Sequence, residues 1–288
     1  MPELPEVEII KKGLDDKIVG KTVSDIEIKV PKMFQGKKDD VVGAKITSIE
    51  RRAKMLIINL SNKNSLLIHL KLTGQLVFDY KAGDKSKRVA GGHPSKDWVA
   101  DLPNQFTHVI FKFSDGSVLY FNDLRKFGYV KVYKTGEIDE QKVLRELGPE
   151  PFSKEFSVDY LMRIFAKRPR VKIKQVLMDQ TVISGVGNIY SDEALFCARI
   201  SPLRLAKDVE KTELIKLVSC VREILQKGLK YEGSSENTFV NVEGKQGEMQ
   251  KHFQVYQQTG KPCPECGTKI ERIKIGGRSS HFCSTCQK

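Results

Sequence analysis

The first eight residues, Met1-Pro2-Glu3-Leu4-Pro5-Glu6-Val7-Glu8, set an imino acid and two carboxylates within one helical turn of each other. Removal of Met1, which a small following residue permits, would leave Pro2 with a secondary amine at the chain start. An α-amino group titrates near pH 8, about two units below a lysine, so a useful fraction is unprotonated at neutral pH. Such an amine can attack the aldehyde carbon of a sugar and form an iminium ion without needing a buried, perturbed lysine. Glu3 beside it and Glu6 one turn further on are carboxylates able to move protons for that reaction. Composition alone reads the same string more blandly, as an acidic chain end with a proline in the first turn of a helix.

Further groups with chemical potential follow. Cys263-Pro-Glu-Cys266 and Cys283-Ser-Thr-Cys286 are two C-x₂-C pairs with sixteen residues between them. Each pair presents two thiolates from a tight turn, and four thiolates make a closed tetrahedral zinc site, which is structural because no coordination position stays open. Cys197 and Cys220 lie in apolar helical patterns and read as core thiols. Between the pairs, Lys269 to Arg278 alternates apolar and basic residues, as a β-hairpin would with one face turned to phosphates. Gly185-Val-Gly-Asn188 separates two helical patterns, and glycines before a helix start let a phosphate approach free N–H groups. Arg51-Arg-Ala-Lys54 is a basic cluster at a strand end, and Arg168-Pro-Arg-Val-Lys-Ile-Lys174 is a second basic run. Asn122-Asp-Leu-Arg125-Lys-Phe127-Gly128 joins a guanidinium and an aromatic ring in one turn, a pair able to fill the hole that a flipped base leaves.

The opening string resembles the start of the bacterial formamidopyrimidine-DNA glycosylases, and the resemblance recurs at five more places between residues 51 and 288. It implies a bifunctional DNA glycosylase and abasic-site lyase of base excision repair. Such an enzyme excises oxidised purines (8-oxoguanine, formamidopyrimidines) and nicks the strand by β,δ-elimination through an N-terminal proline Schiff base. On that likeness Pro2 is the nucleophile, Glu3 donates a proton to the sugar oxygen, and Lys54 and Arg278 assist elimination near the phosphates. Lys54 stands in Arg-Arg-Ala-Lys where the family has Arg-Arg-Gly-Lys, so Ala53 replaces a glycine. Arg125 and Phe127 match the intercalating pair; their partner, a methionine in the family's His-Leu-x-Met-x-Gly, is Leu72 here. His69, His108, Arg170, Asn188, Tyr256 and Arg272 match DNA-contacting positions. Gln257-Gln258 replace the family's Gly-Arg. Cys263, Cys266, Cys283 and Cys286 would hold one structural zinc ion, and the polar loop 231–251 would fold over the everted purine.

These groups need a scaffold. Of 288 residues, 49 are Lys or Arg and 36 Asp or Glu, a net charge of +13 that favours a polyanionic partner. The resemblance implies that this partner is damaged double-stranded DNA. No membrane span or secretory segment is read, so cytoplasmic residence is expected, and a monomer is expected besides. Val7, Ile10 and Leu14 predict a helix over 5–18 that would hold the N-terminal amine against a domain. Runs at 23–28, 55–60, 65–70 and 109–113 read as strands, and Asp115-Gly116 as a hairpin turn. Residues 81–105, with Gly91-Gly92-His93 and Trp98, read as an inserted surface loop. Helices are expected at 157–165, 171–179 and 189–197, with a longer one opened by Asp208 and ended by Gly228 and Gly233.

The fold class is accordingly α+β: an N-terminal β-sandwich with a leading helix over 1–147, a helical helix–two-turn–helix domain over 148–244, and a zinc-finger hairpin over 245–288. Two alternatives stay open. An endonuclease VIII type would take oxidised pyrimidines, although its usual opening Pro-Glu-Gly-Pro-Glu differs at Leu4. A non-catalytic zinc-hairpin protein would bind abasic DNA without cutting it.

Overall fold

The apolar spacing at the N-terminus forms α1 (Leu4–Ile18), whose Val7, Ile10, Leu14 and Ile18 are all buried. In the computed structural model residues 1–80, 88–91, 102–234 and 246–288 are described. Gly92-His93, Trp98 and the central part of the expected 231–251 loop lie outside them. Among the described residues no helix is long and apolar enough to cross a membrane.

Two five-stranded sheets follow α1. One orders β1 (Val23–Ile28), β8 (Thr107–Phe113), β9 (Val118–Asp123), β6 (Gly74–Asp79) and β7 (Arg88–Gly91) as β1-β8-β9-β6-β7. The other orders β2 (Phe34–Gln35), β10 (Tyr129–Lys134), β5 (Asn64–His69), β4 (Met55–Leu60) and β3 (Ile46–Arg52) as β2-β10-β5-β4-β3. Among the described residues only the short β2–β10 pair is parallel. Alternate residues of both sheets, among them Ile26, Ile58, Ile68, Phe78, Phe111 and Phe121, join the buried face of α1 in one apolar core. The expected sandwich and leading helix are present. One part of the reading needs correction: residues 88–91 are not loop but an edge strand antiparallel to β6.

After α2 (Lys142–Arg145) come α3 (Val158–Lys167), α4 (Ile173–Met178), α5 (Asn188–Ala198) and α6 (Lys211–Lys230). Ser157 caps α3 by accepting the Tyr160 N–H at 3.2 Å, as its type predicts. Asp208 does not open the long helix. It falls in a 3₁₀ turn, and α6 starts at Lys211, where the Glu213 carboxylate accepts the Glu210 N–H at 2.8 Å. The helix also runs through Gly228, since a single glycine costs a packed helix only about 1 kcal/mol. Cys197 on α5 and Cys220 on α6 are not separate thiols; they are joined as a disulfide with Cα atoms 5.8 Å apart. The chain ends in a hairpin of β11 (Glu271–Ile275) and β12 (Arg278–Phe282).

Two compact units result. The first comprises Met1–Arg145 with Gly228–Gln250, the second Glu146–Lys227 with Lys251–Lys288. Residues 228–250 thus group with the sandwich rather than with the helices that precede them.

Candidate active site and nucleic-acid interface

In the first unit Pro2 and Glu3 are buried immediately before α1. Glu3 and Glu6 form a capping box in which the Glu6 carboxylate accepts the Glu3 N–H at 2.9 Å. Its other oxygen accepts the N–H of Ser234, also at 2.9 Å. Glu8 reaches out of the same helix to Arg51, whose Nε donates at 2.7 Å. Arg51 in turn donates to the Ala53 carbonyl at 3.0 Å. The two-residue turn Ala53-Lys54 between β3 and β4 is thereby tied to α1. Ala53 sits at φ 55°, the left-handed region where the family glycine would fit without a Cβ penalty. The turn leaves Lys54 with only 5% exposure.

His69, at the end of β5, accepts the Lys71 N–H on Nδ1 at 3.1 Å, which leaves its proton on Nε2. Desolvation, then the charges of Lys71 and Lys54, hold the ring down to about 3, so it is neutral at physiological pH. Tyr129 packs edge-on against it, 5.8 Å between centroids, and carries the ammoniums of Lys71 and Lys131 at 5.7 and 4.9 Å from its ring centre. No sequence signal had marked Tyr129, which reads as an ordinary strand aromatic.

Arg125 and Phe127, the pair expected to intercalate, both lie at the surface. Phe127 is 54% exposed and the Arg125 guanidinium lies 4.9 Å from its ring centre. Leu72, on the turn after β5, is half-buried. His108 is different. Only 1% exposed, it donates Nε2–H to the Asp123 carbonyl at 2.7 Å, and burial pushes its pKa down. As folded it supports the wedge turn and does not offer the open imidazole that a phosphate contact needs.

The second unit holds the remaining residues. Four cations stand in the run at 168–174, and the structure separates them. Arg168 pairs with Asp179, Lys174 is fully buried, and Arg170 is exposed. Asn188 is the first residue of α5, after Gly187, and its Oδ1 is buried with no partner among the described residues. Just after it, the Asp192 carboxylate gathers Lys174 Nζ at 2.7 Å, Ser280 Oγ at 2.6 Å, and His281 N and Nδ1 at 2.9 and 3.1 Å. Glu193 accepts the N–H groups of Gln254, Val255 and Tyr256 at 2.8–3.2 Å, and burial raises its pKa despite them. These adjacent carboxylates fasten the hairpin and the Tyr256 segment to α5. The sequence reading had passed over both.

In the hairpin, Gly276-Gly277 make a two-residue turn at φ 55° and 80° between paired Ile275 and Arg278. Arg272 and Lys274 alternate onto one face, where Ser279 accepts from the Arg272 guanidinium at 2.8 and 3.0 Å. Arg278 pairs with Ile275 and so belongs to the other face, at the turn. The basic residues therefore do not all share one side.

The Sγ atoms of Cys263, Cys266, Cys283 and Cys286 all lie within 4.8 Å of one another, with pairs at 3.5 and 3.8 Å. Sulfurs at about 2.3 Å from a tetrahedral zinc sit roughly 3.8 Å apart, so the donor set fits that ion. Four thiolates would fill every position around such an ion, so the site is one for a structural zinc.

With this geometry in place, similarity to known proteins is extensive. Residues 1–130 match the formamidopyrimidine-DNA glycosylase N-terminal domain, 147–240 the formamidopyrimidine-DNA glycosylase H2TH domain, and 260–288 the zinc finger found in FPG and IleRS. A formamidopyrimidine-DNA glycosylase of Pelotomaculum thermopropionicum is 40% identical, covering 100% of this chain and 99% of its own length. One from Streptococcus mutans is 38% identical with both chains covered in full. Among solved structures, Lactococcus lactis Fpg in complex with an abasic-site DNA superposes with a TM-score of 0.86 at 32% identity over 99% of each chain.

Proposed function

Since the chain belongs to the formamidopyrimidine-DNA glycosylase family, we propose that it excises oxidised purines from duplex DNA and then cleaves the abasic strand, using Pro2 as nucleophile once Met1 is removed. The observation that carries this reading is the arrangement at the start of α1. Glu3 is held there by its capping box with Glu6, next to the buried Pro2, and the Lys54 turn is tied to the same helix through Glu8 and Arg51.

The Pro2 nitrogen attacks C1′ of the everted nucleotide and the damaged base leaves with its bonding electron pair, taking up a proton. Glu3 protonates the ring oxygen, the sugar opens, and a C1′ iminium remains. That iminium accepts the electron pair released when the C2′ proton is removed, which expels the 3′-phosphate. A second elimination expels the 5′-phosphate, with Lys54 and Arg278 neutralising charge on the departing groups. Neutral His69 suits a phosphate contact as a donor through Nε2–H. The net charge of +13 supports recruitment of the polyanion.

The test is covalent trapping. Borohydride added during turnover on an 8-oxoguanine duplex should reduce the iminium and leave a stable enzyme–DNA adduct whose linked peptide begins at Pro2. A Pro2→Gly enzyme that cuts abasic DNA at the normal rate would refute the assigned nucleophile. Excision from a thymine-glycol duplex in preference to 8-oxoguanine would shift the substrate to oxidised pyrimidines.

A further inference from the structure

Beneath the wedge lies a carboxylate that plays no part in the chemistry above. Asp123, the last residue of β9, is fully buried, at 0% exposure. Its Oδ1 accepts the Arg125 N–H at 3.0 Å, and its Oδ2 accepts those of Phe127 at 2.9 Å and Gly128 at 2.7 Å. Thr73 donates its hydroxyl to the same carboxylate and accepts the Arg125 N–H at 3.1 Å. The backbone of Asp123 is held as well: its N–H donates to the Phe106 carbonyl at 2.9 Å and its carbonyl accepts from His108 at 2.7 Å.

Two turns converge on this one group. The 70–74 turn carries Leu72 beside Thr73. It closes through the Gly74 N–H to the Leu70 carbonyl at 2.9 Å, so near that a Cβ on Gly74 would lie 2.4 Å from that oxygen. The 124–128 turn wraps the carboxylate so closely that a Cβ on Gly128 would lie 2.8 Å from the Phe121 ring and 3.1 Å from Asp123 Oδ2. Lys126 within it takes a left-handed φ of 54°. Without an acceptor at the centre, several backbone donors of an otherwise polar, exposed turn would search for water, and the turn would populate other conformations.

We propose that Asp123 is the positioning residue for the DNA wedge: its buried carboxylate locks the Arg125–Phe127 turn and, through Thr73, registers it with Leu72 so that all three enter the helix as one preformed unit. This rests on the reading of the protein as a base-everting glycosylase. A preformed wedge lowers the ordering entropy otherwise lost on insertion, so the gain falls on base eversion and not on general attraction to DNA.

The experiment is a mutant cycle read by single-turnover excision and by fluorescence of 2-aminopurine opposite the lesion. Asp123→Asn keeps the volume but replaces one acceptor oxygen with an amide NH₂, a donor, facing the N–H groups. It should slow 8-oxoguanine excision by about tenfold or more, with affinity for undamaged duplex within about twofold. Thr73→Val, a milder change that leaves the carboxylate, should slow excision about two- to fivefold and keep the proposal testable if Asp123→Asn folds poorly. In a background already lacking the wedge (Arg125→Ala with Phe127→Ala), adding Asp123→Asn should cost less than about twofold further, because its effect passes through those side chains. Full additivity, or variants that evert and excise like wild type, would overturn the assignment. If the wild-type enzyme excises nothing and the wedge double variant is indistinguishable from it, the parent reading has failed, and this one with it.

Discussion

The carboxylate of Glu6 binds the backbone of Ser234, a residue 228 positions later, and thereby ends a buried chain of bonds that begins at Glu3. A side chain that the sequence offers as a proton carrier is thus also a structural tie within the first unit. Glu6→Ala would leave two N–H groups without their acceptor at a site where water has little access. The expected cost is ~2–4 kcal/mol, with Glu6→Gln losing less because one carbonyl oxygen remains. Urea titration measures the first effect, and amide exchange at Ser234 and Glu3 locates it. Exchange rates unchanged in Glu6→Ala would remove the tie from the account.

How far the molecule was legible beforehand depended on the range of the interactions. The zinc knuckles, the Asp115-Gly116 hairpin and the Ser157 cap are local patterns, where residue types a few positions apart meet by geometry alone. The buried carboxylates Glu6, Asp123, Asp192 and Glu193 were not recognised as loop organisers. Asp123 aside, and apart from Glu3 on Glu6 and Lys174 on Asp192, their partners come from sequence positions 61 to 228 residues away, as with His281 on Asp192 at a separation of 89. The Asp123 case was within reach: an Asx residue two before an exposed Arg-x-Phe-Gly commonly caps its own turn. His108 misled because a histidine's type says nothing about burial. The Cys197–Cys220 bridge was missed because both cysteines sit in plain apolar helix patterns.

Stability should respond to acid through His69. An unfolded histidine titrates near 6.5, whereas desolvation and the Lys71 and Lys54 charges keep the native ring neutral down to about 3. The unfolded chain therefore binds the extra proton across that window. The contribution is complete above about pH 6.5 and is lost progressively as pH falls toward 3. Between pH 7.5 and 4.5 the wild type should lose roughly 2–3 kcal/mol more than His69→Gln. Parallel loss in the two proteins would mean that the imidazole stays solvated.

The zinc site and the Asp192 cluster make separable demands on the hairpin. One zinc ion per chain is expected by elemental analysis, and a chelator strong enough to remove it should disorder the two cysteine turns. Lys174 and Asp192 are both 0% exposed and 2.7 Å apart, so removing either partner alone leaves a buried charge. Lys174→Met or Asp192→Ala should cost about 3–5 kcal/mol with zinc still bound, and the pair together less than the sum. Zinc content that falls in step with stability in these variants would show that the cluster serves the metal and not the hairpin's attachment.

Cys197 and Cys220 supply a counting experiment. Denatured without reductant, the zinc-free chain should expose four thiols, and after reduction six, from the six cysteines present. The bridge closes a segment of 23 residues, for which chain-entropy arguments expect ~3 kcal/mol of stabilisation. Cys220→Ala should lower the unfolding midpoint accordingly under oxidising conditions and by much less under reducing ones. Six reactive thiols in the untreated chain would show that the pair stays reduced in solution.

Gln75 on β6 and Asn122 on β9 face each other across the sheet, each fully buried, and none of their four amide nitrogen and oxygen atoms has a partner among the described residues. A buried amide that bonds to nothing costs roughly 1–3 kcal/mol relative to water. Two such groups side by side therefore burden the sheet that ends in Asp123. Replacing both with apolar residues of similar volume, Gln75→Met with Asn122→Leu, removes the penalty while keeping the packing. The double variant should be as stable as wild type or more so, by ~1–3 kcal/mol. Each single change should gain less, since one amide stays stranded. A double variant clearly less stable than the parent in urea would mean that the amides are satisfied in solution, by ordered water or by each other.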